Sequence, residues 1–414
     1  MKLKNPLLPL ENFIPDGEAH TMRDRRTYLY GSMDVYPEFW CCERYKVFST
    51  KGMEDLQDHG VSMDAAWIPD PAVHYLYAPD AIEKGGKTYL YICCDDQSEW
   101  VAVADTPAGP FSEPSKMEGA QGIDPAVFVD DDGTAYYYWG QFQLNGCRLK
   151  ENMREIEEGS VVRGLITEKE HFFHEGSSMR KRNGIYYLVF ADVSRGKPSP
   201  YGGTPTCLGY ATSTNPLGPF TYRGVIIDNA ACDPASWNNH GSIEEIDEQW
   251  YVFYHRSTCG ESRMRRACCE RIYFDEQGLI QEVPMTSSGA NAYLDAKGLL
   301  FDAPLACALS GTCYIDALKR GREERIVRIE EGDTAVFRYI RMAGERQCKI
   351  KTEGKGICIL TACDAKGEER ELGRAYVEKG GETAFPIEPV EGIYELKLEF
   401  RTPEDLEFIS FTLQ

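Results

Sequence analysis

The sequence predicts an all-β protein, a five-bladed β-propeller followed by a β-sandwich, divided at residues 1–292 and 293–414. Three observations predict it. Helical periodicity is scarce, and short aromatic strand runs recur five times instead. A Pro/Gly turn motif occurs twice, each time after an alternating strand. Beyond Tyr293 the texture changes: all six tryptophans lie before residue 251, and short alternating segments with regular turn signals take over.

The recurring runs are RTYLYGSMD from Arg26, KTYLYICCDD from Lys87, TAYYYWG from Thr134, GIYYLVFAD from Gly184 and QWYVFYHRS from Gln249. Their marker tyrosines, Tyr28, Tyr89, Tyr136, Tyr186 and Tyr251, are 61, 47, 50 and 65 residues apart. That is the size of one four-stranded blade with its loops. The turn motif, TPAGPFSEP (Thr106–Pro114) and NPLGPFTYRG (Asn215–Gly224), reads as the link between the outer strands of a blade. GIDPAVFVDDDGTAYYYWG (Gly122–Gly140) reads as a hairpin turning at Asp130–Gly133, where the Asp-Gly step is a strong local signal. From about residue 312, segments such as AVFRYIRM, GICILTACDAKG and GIYELKLEF read as strands of a sandwich of roughly 100 residues.

Composition bounds the function. A chain of 414 residues is long for one core, and 42% hydrophobic and 12% aromatic content supply two. A net charge of −21 argues against nucleic acid and against an anionic membrane, since both require clustered basic surface. No run of 18 apolar residues occurs, and the N-terminus lacks an apolar signal region. The 15 cysteines are scattered, with adjacent pairs at 41–42, 93–94 and 268–269 and no C-x-x-C. This fits free buried thiols in a reducing cytoplasm. The oligomeric state stays open.

A polar residue precedes each aromatic run by nine to twelve positions: Asp16, Asp80, Asp124, Glu175 and His240. A single aspartate before a strand is ordinarily a cap or turn residue. Five at matched offsets are different, because the innermost strands of a propeller start at the same end of a central channel. Their side chains are expected to converge at one mouth. Carboxylates gathered in a pocket push each other's pKa values apart, and two carboxyls with divergent pKa values are the equipment of glycoside hydrolysis.

The pieces IPDGEAH, YAPDAI, GIDPAVFVDDDG, HEGSSMRKRNGIYYLVF and NHGSIEEIDEQWYVFYHR, spread over residues 5–285, resemble glycoside hydrolase family 43. The resemblance implies an inverting hydrolase acting on the terminal pentose or furanose of an oligosaccharide. α-L-Arabinofuranose is expected first; xylose, galactofuranose or a non-catalytic sugar-binding protein are the alternatives. It implies Asp16 as general base, Glu175 as general acid and Asp124 as the carboxylate that tunes and orients the acid. His240 corresponds to the family's channel histidine, beside which a hydrated calcium ion is implied. Arg265 in SRMRRACCERI is the best match to a substrate-contacting arginine, with Arg256, Arg263 and Arg266 as competitors. Glu18 and His20 depart from the family's usual Asp-Pro and are expected, with Asp80, to contact sugar hydroxyls or extend the hydrogen-bonding shell. Trp67, Trp139 and Trp237 are candidates to floor the sugar site, Trp237 foremost. The loop SRGKPSPYGGTPTCLGYATS reads as a pocket wall or a surface loop. The tail resembles carbohydrate-binding module family 6; its few aromatics favour a structural cap over a polymer-binding face.

Overall fold

The computed structural model describes residues 2–199, 202–318 and 323–414. Its first two-thirds are five antiparallel sheets. Blade 1 is β1 (Glu18–Thr21), β2 (Thr27–Tyr30), β3 (Arg44–Lys51) and β4 (Asp55–Asp64). Blade 2 is β5 (Asp80–Lys84), β6 (Lys87–Cys93), β7 (Ser98–Ala104) and β8 (Ser112–Gln121). Blade 3 is β9 (Ala126–Val129), β10 (Ala135–Trp139), β11 (Gln143–Arg148) and β12 (Val162–Thr167). Blade 4 starts with β13 (Phe173–Arg182) and β14 (Ile185–Asp192). A small ribbon, β15 (Pro198–Ser199) with β16 (Gly202–Gly203), interrupts it before β17 (Cys207–Ser213) and β18 (Thr221–Asp228). Blade 5 is β19 (Ser242–Ile246), β20 (Gln249–Thr258) and β21 (Glu261–Ile272).

The marker tyrosines all fall on the second strand of their blade, which explains the aromatic runs. Successive side chains of a strand point to opposite faces, and here each face packs on a neighbouring blade. In β10, Ala135, Tyr137 and Trp139 join Tyr91 and Val101 of blade 2, while Tyr138 joins Phe173, Tyr186 and Leu188 of blade 4. The same split sends Tyr187 and Val189 to blade 5, and Tyr251 and Phe253 to Leu29 and Phe48 of blade 1. A strand buried on both faces reads as a continuous apolar run. Each fully buried large side chain contributes about 1.5–3 kcal/mol by area. The ring closes at a parallel bridge between Gly17 and Gly241, where a Cβ on Gly241 would lie 1.9 Å from the Phe253 carbonyl oxygen. The two Pro/Gly motifs link the third and fourth strands of blades 2 and 4, and Asp130–Gly133 turns the β9–β10 hairpin, with the Asp130 N–H donating to Thr134 O at 2.9 Å.

The tail's first strand is Leu294–Asp295. Beyond it a single curled sheet, sandwich-like, is dominated by long strands at Gln347–Cys363 and Glu391–Leu413. It docks on blades 4 and 5: Cys307, Ala308 and Val336 enter the apolar cluster of Tyr187, Tyr210 and Tyr254, and the Cys259 N–H donates to Ile315 O at 2.9 Å. No described helix is long and apolar enough to cross a membrane. All 15 cysteines are unpaired, and 14 are buried.

Candidate active site

At the end of the channel where the innermost strands begin, a cavity of about 230 Å³ opens. Asp16, Asp124, Glu175, Trp237, His240 and Arg265 line it, together with Trp40, Cys41, Tyr77, Gln141 and others. Four of the five residues expected at the mouth are there. The fifth, Asp80, is not. Asp16, Asp124, Glu175 and His240 stand eleven or twelve residues before their tyrosines, but Asp80 only nine. Asp80 pairs with Tyr91 as Glu18 pairs with Tyr30, each two residues beyond the marker tyrosine, so it lies level with Glu18, deeper in the channel, and Tyr77 and Ala78 take its place at the mouth.

Glu18 and His20 run deeper for the same reason, and do not line the cavity either. The three residues form a buried cluster, with His20 Nε2 2.6 Å from Asp80 Oδ1. Asp80 Oδ2 accepts the Val127 N–H at 2.8 Å. Arg180 from β13 enters this cluster, its Nη2 3.5 Å from Glu18 Oε2 and from His20 Nε2, and its Nε donates to Glu244 at 2.9 Å.

Asp16 is gripped from three sides. Arg265 Nη1 donates to its Oδ1 at 3.0 Å, the Ser32 hydroxyl donates to its Oδ2, and His255 Nδ1 lies 3.4 Å from Oδ1. Burial raises its pKa, but Arg265, His255 and His240 outweigh burial and hold the carboxyl well below the ordinary carboxylate range. Arg265 is itself fixed by Asp34, which accepts from Nε and Nη2, each at 2.9 Å, and from the Arg265 N–H. The Trp40 ring lies 4.9 Å from the guanidinium. Arg265 is therefore the arginine of the cavity, and its donors are committed to Asp16 and Asp34. Arg256 turns to Tyr254, Glu270 and Thr286, Arg266 to Glu324 and Leu10, and Arg263 lies near Glu261 at the rim.

The other carboxyls are in a different environment. Burial first, then the charges of Glu175, Asp16 and Glu99, push Asp124 well above the ordinary carboxylate range. Glu99, buried behind it, is pushed up to about 8 by burial, against the hydrogen bond it receives from the Tyr137 hydroxyl. Glu175 Oε2 accepts from Gln141 Nε2 at 2.7 Å. His240 sits between the walls, its Nδ1 3.9 Å from both Asp16 Oδ1 and Asp124 Oδ2. Burial lowers its pKa, against the opposing charges of Asp16 and Glu175. Gly176 makes room for it: its φ is +66°, and a Cβ there would lie 2.9–3.0 Å from the His240 ring. Asp16 and Asp124 have φ near +60° themselves, the kind of backbone strain that clusters at functional positions.

Trp237 lies against Trp40 at 6.0 Å and edge-on to His174 at 5.8 Å. Trp139 is buried between blades 2 and 3 and Trp67 is exposed on a short 3-10 turn; neither lines the cavity, because the strand position of Trp139 points it into a blade interface and the turn leaves Trp67 in solvent. No described residue of the 194–206 loop lines the cavity, and residues 200 and 201 lie outside the described residues. Sequence reasoning missed Ser32, Asp34, Gln141, His255 and Trp40. A signal for the first four was present: they follow or end the aromatic runs, and the end of a second strand lies beside the start of the innermost strand it pairs with, as Tyr30 opposite Glu18 shows.

A five-bladed propeller with a carboxylate-lined mouth is comparable with known proteins. The family model for glycosyl hydrolases family 43 matches residues 3–280. The chain belongs to this family. It is a glycoside hydrolase of the xylosidase and arabinofuranosidase group. A xylosidase/arabinosidase of Thermoclostridium stercorarium is 31% identical, covering 99% of this chain and 98% of its own length. A family 43 β-xylosidase/α-arabinofuranosidase from a compost microbial metagenome, solved with xylotriose in a calcium-free form, superposes with a TM-score of 0.59 at 29% identity, covering 69% of this chain and 99% of that one. An arabinoxylan arabinofuranohydrolase of Bacillus subtilis shares the fold over the whole chain and 97% of its own length, with a TM-score of 0.59 at 23% identity. The family match ends at residue 280, so the tail's resemblance to family 6 modules draws no support from it.

Proposed function

We propose that this family 43 hydrolase removes one terminal pentose from an oligosaccharide with inversion, Asp16 acting as general base and Glu175 as general acid. The observation that carries this reading is the electrostatic asymmetry of one small cavity. Asp16 is held ionised on one wall; on the other, Glu175 adjoins Asp124, whose affinity for a proton is raised. Asp16 takes a proton from water as the water oxygen bonds to the anomeric carbon; the glycosidic C–O bond breaks, and Glu175 gives its proton to the leaving oxygen. Asp124, sharing the acid's wall, keeps negative charge from accumulating there and orients Glu175. Trp237 is proposed as the sugar floor. A cavity of about 230 Å³ is below the usual range for a drug-sized ligand, which suits one sugar ring and hence exo action.

α-L-Arabinofuranose is the first candidate, with xylose or galactofuranose as alternatives. A panel of nitrophenyl furanosides and xylosides, with the product anomer read by NMR, tests the reading. Release with inverted configuration is expected; no release from any member, or retention, overturns it.

Calcium is the family's implied ion. It takes six to eight oxygen ligands, and the described residues fit it poorly. His240 offers one nitrogen. In the deeper group of Glu18, His20 and Asp80, whose ligand atoms lie within 4.8 Å of one another, only Glu18 Oε1 has no partner, and Arg180 already brings a positive charge. An ion at His240 would be held largely by water, and no step above is routed through it. The buried free thiols support a reducing, cytoplasmic setting, and the tail's docking on blades 4 and 5 supports a structural cap.

A further inference from the structure

No described residue of the tail lines the cavity, yet the tail grips the two segments that shape one side of it. The first is the loop from Asn229 to Gly241, between β18 and β19, which carries Trp237, Asn238 and His240 to the cavity. The second is the hairpin of β20 and β21, whose strands carry His255 and Arg265, two of the groups on Asp16.

The loop is gripped near its start. The Leu309 N–H donates to Ala231 O at 2.8 Å, and Cys232 packs in one apolar cluster with Cys307, Ala308 and Val336. The hairpin is gripped at its tip. Ile315 O, on the tail strand Tyr314–Asp316, accepts from the Cys259 N–H at 2.9 Å and from the Thr258 hydroxyl at 3.2 Å. The Tyr314 ring closes on Gly260, whose φ is +67°; a Cβ there would stand 3.1 Å from the ring. Arg328, also of the tail, places its guanidinium 5.5 Å from the ring centroid.

Asp233 joins the two segments. Its side chain is buried, with Oδ2 accepting the Gly260 N–H at 3.0 Å and Oδ1 the Ala235 N–H at 2.8 Å. The Ser236 N–H donates to Asp233 O at 3.0 Å, and the turn so formed leads directly into Trp237. One residue on, Asn238 O accepts from Asn229 Nδ2 at 2.9 Å and lies 3.0 Å from His255 Nε2. A connecting loop has no ladder of its own, so ties of this kind set its position and its mobility. Here one end of two such ties belongs to the tail.

We propose that the tail is a positioning element of the active site: Ala308–Leu309 and Tyr314–Asp316, joined through Asp233, set where Trp237 stands and hold the hairpin that places His255 and Arg265 on Asp16. The inference rests on the roles of Trp237 and Asp16 proposed above, and it gives the tail a part in the reaction without any sugar bound to it. A shift of about 1 Å at a reacting centre can cost about a hundredfold in rate, so loosening this seam lowers the activity of a protein that is still folded.

The test compares variants of the full chain with the parent, well below the melting temperature of each. Tyr314→Ala removes the ring from the seam. It should lower kcat/KM on the best nitrophenyl glycoside about tenfold and speed amide hydrogen exchange in residues 229–240 and 258–263, read by mass spectrometry. Tyr314→Phe keeps the ring and should return both readouts to the parent's values. Phe385→Leu, on the strand Gly381–Pro386 that pairs with Gln347–Cys363 rather than with the seam, should lower Tm yet leave kcat/KM and both exchange readouts unchanged, which separates positioning from stability. Exchange at the parent's rate in Tyr314→Ala, or faster exchange with unchanged kcat/KM, overturns the inference; so does an equal loss of activity in folded Phe385→Leu. A parent that cleaves no glycoside, with exchange responding as described, would instead sink the catalytic reading and leave the tail's grip on the loop standing.

Discussion

Replacing Arg265 by glutamine together with Asp34 by asparagine should move the acidic limb of the kcat/KM–pH profile upward. Arg265 Nη1 stands 3.0 Å from Asp16 Oδ1 with both side chains buried. At an effective dielectric of about 20, unit charges at that separation attract by about 5.5 kcal/mol, or about four pKa units. Ser32 and His255 remain to stabilise the carboxylate, so a displacement of about one to three units is expected. The sign follows from the role: a base must be unprotonated to take the proton of water, so a higher pKa for Asp16 removes active enzyme from the low-pH side. Asp34 must change with Arg265, because one buried partner left charged costs about 3–5 kcal/mol; Asp34 is already pushed up to about 6 by burial with Arg265 opposing. Steady-state kcat/KM on the best nitrophenyl glycoside, from about pH 2 to pH 8, reads the limb, and a thermal melt at each pH confirms folding. A folded, active double variant whose acidic limb coincides with that of the parent refutes Asp16 as the base held by Arg265.

Glu175→Gln and Asp16→Asn should each lower kcat by about a hundred- to ten-thousand-fold with KM little changed, as loss of one proton-transferring group requires; stopped assays over hours would detect the residue of activity. Asp124→Asn removes the raised carboxyl that shares a wall with Glu175 and should displace the basic limb of the profile as well as lower its height. Glu99 carries a stability prediction. Its pKa rises from 4.5 to about 8 on folding, so the folded state holds a proton that the unfolded chain has released. Its contribution is complete below about pH 4.5 and is lost as pH rises to about 8, an effect of up to about 5 kcal/mol. Glu99→Gln should therefore raise Tm relative to the parent progressively across that interval; parallel Tm curves would count against a protonated Glu99.

Much of this fold is written in the second strands. Because each is buried on both faces, its apolar run is long and aromatic, and five repeats reveal five blades. The innermost strands are short and their sequences are ordinary, so the offset from the marker tyrosine had to locate the mouth. That offset works where the intervening hairpin has a constant length. It fails at Asp80, where the lead is nine residues rather than eleven or twelve and the side chain drops into the channel with Glu18 and His20. The residues that hold the site were harder to read. Ser32 and His255 act on Asp16 directly and Asp34 acts through Arg265; the aromatic runs mark where these residues stand, but which of them meet is set by closure of the ring.

Asp124 illustrates how the two levels combine. Beside three turn aspartates it is one more acidic residue before a strand, and local chemistry alone would make it a cap. The structure gives it a left-handed backbone, the charge of Glu175 on one side, and behind it Glu99 with a pKa near 8. Burial and the charges around it raise the proton affinity of Asp124, whereas Asp16, opposite, accepts from Arg265, a cation it shares with Asp34. In the proposed mechanism the division of labour between acid wall and base wall arises from where Arg265, the one arginine or lysine among the described residues that line the cavity, is placed, and Arg265, rather than any carboxylate, selects the base.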